Sequence, residues 1–205
     1  MKSPLNSGPW LTLDSVESTQ TVASQMVKEG QPIGIVYTKD QTSGRGRFGR
    51  TWISKPGDSM TMSMVFTDYA DHEQPWLVGM AVSTAIASVL HCQIRWPNDL
   101  CMHGRKLGGI LSELITDAKG RKIPIVGVGI NLNQEEFADE IKQTATSLYL
   151  VRKKGFVAEE IAKQIVERLE VEVEPVSWAA IQPSWSLFDD TPGKRYRLPD
   201  GRLST

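Results

Sequence analysis

Gly44-Arg45-Gly46-Arg47-Phe48-Gly49-Arg50 sets its glycines in the order G-x-G-x-x-G, the fingerprint of dinucleotide-binding folds, and follows each glycine with an arginine. That fingerprint works only where a strand runs through the glycines straight into a helix, whose N-terminus then faces a pyrophosphate. The strand is present: residues 33–38 are β-branched and bounded by Pro32. The helix is not. A segment closed by the Pro56-Gly57 turn signal intervenes. Met60, Met62, Met64 and Phe66 then alternate with Thr61, Ser63 and Val65, the period of a strand. Asp68 lies about 20 positions on, as the fingerprint asks, but the element type is wrong. The order is strand, loop, strand, and the Rossmann reading fails.

What remains is a basic glycine loop. Residues 39–50 hold four basic side chains against one acid, whereas the whole chain of 205 residues holds 23 against 24, a net charge of −1. Glycines let backbone approach a ligand closely, and successive N–H groups can form an anion-binding concavity. Arginine forks suit carboxylate and phosphate oxygens. The balanced total argues against a general nucleic-acid binder, whose basic footprint shows in the sums.

With 40% hydrophobic and 23% charged residues, the chain can bury a core and is the size of one domain. Cys92 and Cys101 form no C-x-x-C, and His72, His91 and His103 are scattered, so no zinc spacing exists. Free thiols, no apolar run of the ~18 residues a span requires and no signal-peptide pattern at the start predict a soluble cytoplasmic protein.

Along the chain, residues 11–13 open a strand, residues 14–19 offer helix caps, and Val22, Met26 and Val27 make a thin helical stripe stopped at Gly30. Residues 76–90 read as a largely buried helix and 93–96 as a short strand halted by Pro97-Asn98-Asp99. A turn at 103–106 leads to a strand over 107–115, a hairpin loop at 118–122 and a strand over 123–130. Residues 157–171 have helical spacing at Ile161, Ile165 and Leu169. From about Pro175 the tail is turn-rich, with residues 194–198 expected to start a hairpin. Without a regular βαβ alternation, the class is α+β, a mixed sheet packed against helices.

Three further stretches carry chemistry. Arg95-Trp96-Pro97-Asn98-Asp99 fixes extended backbone before the proline and can aim Asn98 and Asp99 into a cleft, or simply make an Asx turn. Lys106-Leu107-Gly108-Gly109 sets a lysine beside two glycines, which in a strand mark close approach of a ligand or of another backbone. Gly127-Val128-Gly129-Ile130-Asn131 clears one face of a strand and ends it in a polar residue, for a ligand or for tight helix packing.

In that order, and preceded by Ser18-Thr19-Gln20, these motifs resemble the catalytic domain of biotin protein ligases, over roughly residues 11–170. The resemblance implies a fold like that of class II aminoacyl-tRNA synthetases. It implies ATP-dependent formation of biotinyl-5′-adenylate, with Mg²⁺, and transfer of biotin to a lysine of the biotin carboxyl carrier protein of acetyl-CoA carboxylase or a related carboxylase. By motif position Lys106, Arg45 and Arg47 would neutralise developing charge, and Asp99 would position Lys106, help hold Mg²⁺ or accept the proton of the acceptor lysine. Ser18, Thr19, Gln20, Gln41, Gly44, Gly108, Gly109, Gly127 and Gly129 would surround biotin, with Arg45, Arg47 and Lys106. Trp52, Asn98 and Asn131 would serve the adenylate, with Arg47 and Lys106. Gln20 stands where an Asn is common and Arg95 where a Lys is frequent. About ten residues precede the first strand, too few for a DNA-binding helix-turn-helix, so DNA and membrane are not expected partners; a homodimer is compatible. The catalytic domain would occupy 1–185 and a truncated C-terminal β extension 186–205. Two other readings are a lipoate ligase or octanoyltransferase, the latter using a cysteine such as Cys101, and a biotin-binding module without catalysis.

Overall fold

A computed structural model describes residues 8–172 and 177–193 of the chain. Seven strands form one sheet in the order β1-β2-β5-β9-β8-β7-β6. They are β1 (Trp10–Val16), β2 (Ile35–Gln41), β5 (Ser59–Val65), β6 (Gln93–Arg95), β7 (Asp99–Met102), β8 (Arg105–Thr116) and β9 (Lys122–Asn131). β1 and β2 pair in parallel and every other pair is antiparallel, so the sheet is mixed. Between β2 and β5 the glycine–arginine loop folds into a separate two-stranded hairpin, β3 (Gly44–Arg45) and β4 (Thr51–Trp52). No helix follows the glycines, and the strand–loop–strand reading holds.

The helices divide between the faces. α2 (Trp76–Leu90) packs on α4 (Ala158–Glu172) and α5 (Trp178–Phe188), and together they cover the face that carries Met60, Met62 and Met64. α1 (Thr19–Lys28) covers part of the other face, where Ala23 and Val27 meet Val65, Ile123 and Ile125. This explains a feature that alternation alone does not give. β5 does alternate apolar and polar residues, yet all seven are buried. As a central strand it has cover on both sides, so Thr61 and Ser63 turn toward a site rather than toward solvent. Burying Met60 and Met62 completely contributes roughly 1.5–3 kcal/mol each.

Besides the β3–β4 hairpin, three elements were not anticipated. β7 follows directly on the Pro97-Asn98-Asp99 turn and pairs with both β6 and β8. α3 (Leu148–Arg152) is a short helix whose cap, Ser147 Oγ, accepts from Leu150 N. α5 occupies the stretch read as turn-rich: Ser177 caps it by accepting from Ala180 N, and the helix tolerates Pro183 within it. Residues 186–188 therefore end a helix, while the hairpin expected at 194–198 lies outside the described residues. After α5 the chain runs along the β6 edge, where Asp190 N donates to Ile94 O at 2.8 Å and Trp96 N donates to Thr191 Oγ1 at 2.8 Å. Those bonds anchor the turn that presents Asn98 and Asp99.

Candidate functional site

Directly opposed residues of antiparallel strands share a face. The pairings Thr61↔Gly129, Gly129↔Gly109 and Gly109↔Asp99 therefore set one row across β5, β9, β8 and β7. Ser63, Gly127 and Leu111 form a second row of the same kind. Glycines in the middle of each row leave a trough in the sheet, and side chains from above settle onto it. The Trp52 indole lies on Gly129, where an added Cβ would stand 2.7 Å from its Cε2. Gln20 lies on Gly127, with Oε1 2.7 Å from that Cβ position, and Lys106 spans Gly109, with Nζ at 3.7 Å. The trough is the floor of a cavity of about 190 Å³.

Its walls come from four places. Ser18, Thr19 and Gln20 open α1, and Gln41 ends β2 beside them. Arg45, Arg47 and Trp52 belong to the β3–β4 hairpin, Asn98 and Asp99 to the turn into β7, and Lys106 to β8. The structure thus brings together most residues singled out in the sequence. Three of them do not reach the wall. Gly44 lies behind it, where a Cβ would meet Gln41 Nε2 and Trp52 O, each at 2.6 Å. Gly108 faces the backbone of β9, where an added Cβ would stand 2.6 Å from Gly129 O. Asn131 is buried, donating to Thr146 O at 3.0 Å and accepting from Gln134 Nε2 at 3.2 Å, so it fastens the segment after β9.

The two ends of the trough differ chemically. At the α1 end neutral polar groups bond to one another. Gln41 Oε1 accepts from Thr19 N at 2.9 Å, Thr19 Oγ1 meets Ser63 Oγ at 2.9 Å, and Ser63 Oγ donates to Gln20 Oε1 at 2.9 Å. All four side chains are buried, where an unbonded polar group costs about 1–3 kcal/mol. Ser18 Oγ and Trp52 Nε1 are buried at the cavity without a protein partner, which marks them as hydrogen-bonding groups for a ligand. At the Asp99 end stand cations. Lys106 Nζ lies 2.7 Å from Asp99 Oδ1, and Arg47 Nη1 donates to Asn98 Oδ1 at 2.8 Å. Asn98 Nδ2 donates in turn to Asp99 Oδ1 at 3.3 Å. Phe48, at the hairpin tip with φ of 58°, lies under the Arg47 guanidinium at 4.9 Å. Such a site suits a ligand with a neutral polar head and an anionic tail.

Sequence reasoning missed Ser63 and Glu113. Ser63 was hidden by its place on the polar side of an alternating strand, where exposure is the ordinary expectation. Glu113, an acid inside the β8 run, carries no local mark of its role: its Oε1 accepts from Arg45 Nη2 at 2.8 Å and its Oε2 from Gln20 Nε2 at 3.0 Å. Cys101 is fully buried and lies off the cavity wall, and burial holds its thiol above the ordinary value of 9.0. The structure therefore presents no cysteine nucleophile to the cavity. Among the described residues no group of three His, Cys, Asp or Glu side chains could hold a metal ion. No described helix is long and apolar enough to cross a membrane.

Mixed sheet, glycine trough and facing cations together define a ligand-binding site with a neutral polar end and a cationic end, on an α+β fold. The chain matches the biotin/lipoate A/B protein ligase family over residues 12–131, and it belongs to that family. The bifunctional ligase/repressor BirA of Bacillus subtilis (strain 168) is 35% identical over 144 residues, covering 66% of this chain and 44% of that protein. The biotin--[acetyl-CoA-carboxylase] ligase of Mycobacterium tuberculosis is 27% identical over 214 residues, covering 94% of this chain and 77% of that protein. Among solved structures, biotin protein ligase from Aquifex aeolicus in complex with biotin and ATP superposes with a TM-score of 0.72 at 28% identity, covering 91% of this chain and 80% of that one. The α+β, class II synthetase-like fold expected from the motifs is the one these neighbours share. The chain spans less than half the length of the first of these relatives.

Proposed function

We propose that this chain is the catalytic domain of a biotin protein ligase. The observation that carries the reading is the polarity of the trough: buried hydroxyls and amides at one end, Lys106 and Arg47 with Asp99 at the other. Biotin has the matching form, with a neutral ureido ring at one end and a carboxylate at the other. The glycines let Gln20 and Trp52 lie close on the sheet as walls around the ring, and Ser18, Thr19, Gln20 and Gln41 supply its hydrogen bonds. The relative named a biotin--[acetyl-CoA-carboxylase] ligase and the neighbour holding biotin and ATP support the same assignment.

In the reaction, a carboxylate oxygen of biotin attacks the α-phosphorus of ATP, and pyrophosphate leaves. Anions converge there, so fixed cations lower the barrier by neutralising charge as it develops. Lys106 and Arg47 stand where that charge would build, and Arg45 reaches over the cavity from the hairpin. The amine of the acceptor lysine then attacks the carbonyl of the mixed anhydride, AMP leaves, and an amide forms. Asp99 holds Lys106 in place and is the carboxylate nearest to receive the amine's proton. Asp99, with the substrate phosphates, would hold the Mg²⁺ that accompanies ATP, an ordinary environment for that ion, which would offset phosphate charge. Trp52 and the hairpin exclude water from the adenylate. The acceptor is a biotin carboxyl carrier protein, in keeping with the acetyl-CoA-carboxylase ligase relative. A cytoplasmic setting accords with the free cysteines.

The test is incubation with radiolabelled biotin, Mg-ATP and a purified biotin carboxyl carrier domain, beside a Lys106→Ala variant. ATP-dependent label on the carrier, much reduced in the variant, is the expected result. Failure to label the carrier or to release pyrophosphate, with biotin still bound, would leave a binding module instead.

A further inference from the structure

Glu113 is not part of the cavity wall, yet two functional parts of the site meet on its carboxylate. Oε1 holds Arg45 of the hairpin at 2.8 Å, and Oε2 holds Gln20 of the floor at 3.0 Å. An ionised carboxylate can only accept hydrogen bonds. Gln20 must therefore turn its NH₂ toward Glu113, which leaves its Oε1 to accept from Ser63 at 2.9 Å. The Ser63 proton is thereby committed, so at 2.9 Å Thr19 Oγ1 donates to Ser63 Oγ, in preference to its longer 3.3 Å approach to Gln41 Oε1. One charge fixes the donor–acceptor sense of three neighbouring groups. The same charge tethers Arg45, whose side chain is otherwise half exposed on a two-stranded hairpin.

We propose that Glu113 is a positioning residue that sets the hydrogen-bond direction of the cavity floor and ties the arginine hairpin to it. The inference rests on the reading of the cavity as a biotin site. Glu113 acts through Gln20 and Ser63 on the ligand's ring and through Arg45 on closure. Losing it therefore raises the KM for biotin more than it lowers kcat.

Two substitutions separate this role from simple packing. Glu113→Gln keeps size and shape but lets the side chain donate as well as accept, so Gln20 can flip. Glu113→Asp is a methylene shorter but still accepts only. Biotin KM and kcat are measured by ATP–pyrophosphate exchange, and biotin affinity without ATP by calorimetry, with the unfolding midpoint recorded for each protein. We expect Glu113→Gln to weaken biotin about tenfold or more, the scale of a bond to a charged group, and Glu113→Asp to weaken it less. A packing role gives the reverse order, and that order overturns the proposal, as does wild-type affinity in Glu113→Gln. Ser63→Ala breaks the relay one link further on without touching Arg45, and should also raise KM; an unchanged KM there counts against the proposal even if the glutamine variant does not fold. If the unmodified protein neither binds biotin nor exchanges pyrophosphate, the functional reading fails and the inference with it. An active parent with indifferent variants overturns the inference alone.

Discussion

Gly129→Ala tests whether the hairpin's seat on the sheet governs activity. The new Cβ would stand 2.7 Å from Trp52 Cε2 and 3.0 Å from Cδ2 and Cζ2. Ordinary carbon contacts are about 3.5–4.0 Å, so the indole must retreat by roughly 1 Å. It cannot do so alone. Trp52 pairs with Gly44, and Gly44 is closed in by Gln41 Nε2 and Trp52 O, each at 2.6 Å from its Cβ position. The hairpin must therefore lift as a unit, taking Arg45 and Arg47 with it. Overpacking of this kind costs about 1–3 kcal/mol, and here the cost falls on the seated hairpin rather than on the core. The strand itself gains about 0.5–1 kcal/mol from replacing glycine with alanine. Global stability should thus change little, by a few degrees at most given about 2–4 °C per kcal/mol in a chain of this size. Transition-state stabilisation should fall by the overpacking cost, roughly 5- to 150-fold in kcat/KM. Pyrophosphate release with saturating Mg-ATP and varied biotin gives the second quantity, and calorimetric unfolding of the same preparation gives the first. Activity within twofold of the parent at unchanged stability would refute the reasoning, as would a large fall in midpoint that accounts for the lost activity.

Gly108→Ala should behave oppositely, because its Cβ would lie 2.6 Å from Gly129 O, a backbone atom that cannot swing aside; we expect about 1–3 kcal/mol lost in thermal or urea unfolding. Lys106→Met should reduce kcat for pyrophosphate exchange about 10²–10³-fold, the effect of removing one charge-stabilising group, with the unfolding midpoint nearly unchanged since the Lys106 side chain is 40% exposed. Cys101→Ser should retain transfer activity while destabilising the fold by about 1–3 kcal/mol, because a hydroxyl replaces a fully buried thiol; loss of transfer in folded protein would revive a cysteine nucleophile. Burial pushes the Cys92 thiol from 9.0 up to about 12, so the native state keeps a proton that the unfolded chain releases. Its contribution to stability should be complete below pH 9 and drain away as pH rises toward 12, and urea unfolding of Cys92→Ala should show a shallower loss than the parent across that window.

How far the sequence could be read depended on whether a signal was local. α2 was legible to the residue because Pro75 opens it and a run of Ala, Val, Leu and Met needs no polar face where most of it is buried. The motif glycines were legible for the same reason: a glycine inside a strand marks close approach, and here three of them meet Trp52, Gln20 and the backbone of β9. α5 was not legible, since Pro183 and the absence of a polar–apolar period speak against a helix, and only packing on α2 decides for one. β5 shows the deeper limit. Its alternation marks a strand, and the alternation is real, but exposure is set by what lies over the polar face. That information is in the register of Ser63 with Gly127, 64 residues later in the chain, and in α1 lying across both. The same holds for Glu113. Nothing local distinguishes it from an acid on a solvent-facing strand. It acquires a role only because β8 delivers it midway between Gln20 on one element and Arg45 on another. A charge becomes functional in this site through two partners that no local period links to it, so the polar floor is the part of the site that had to be seen folded.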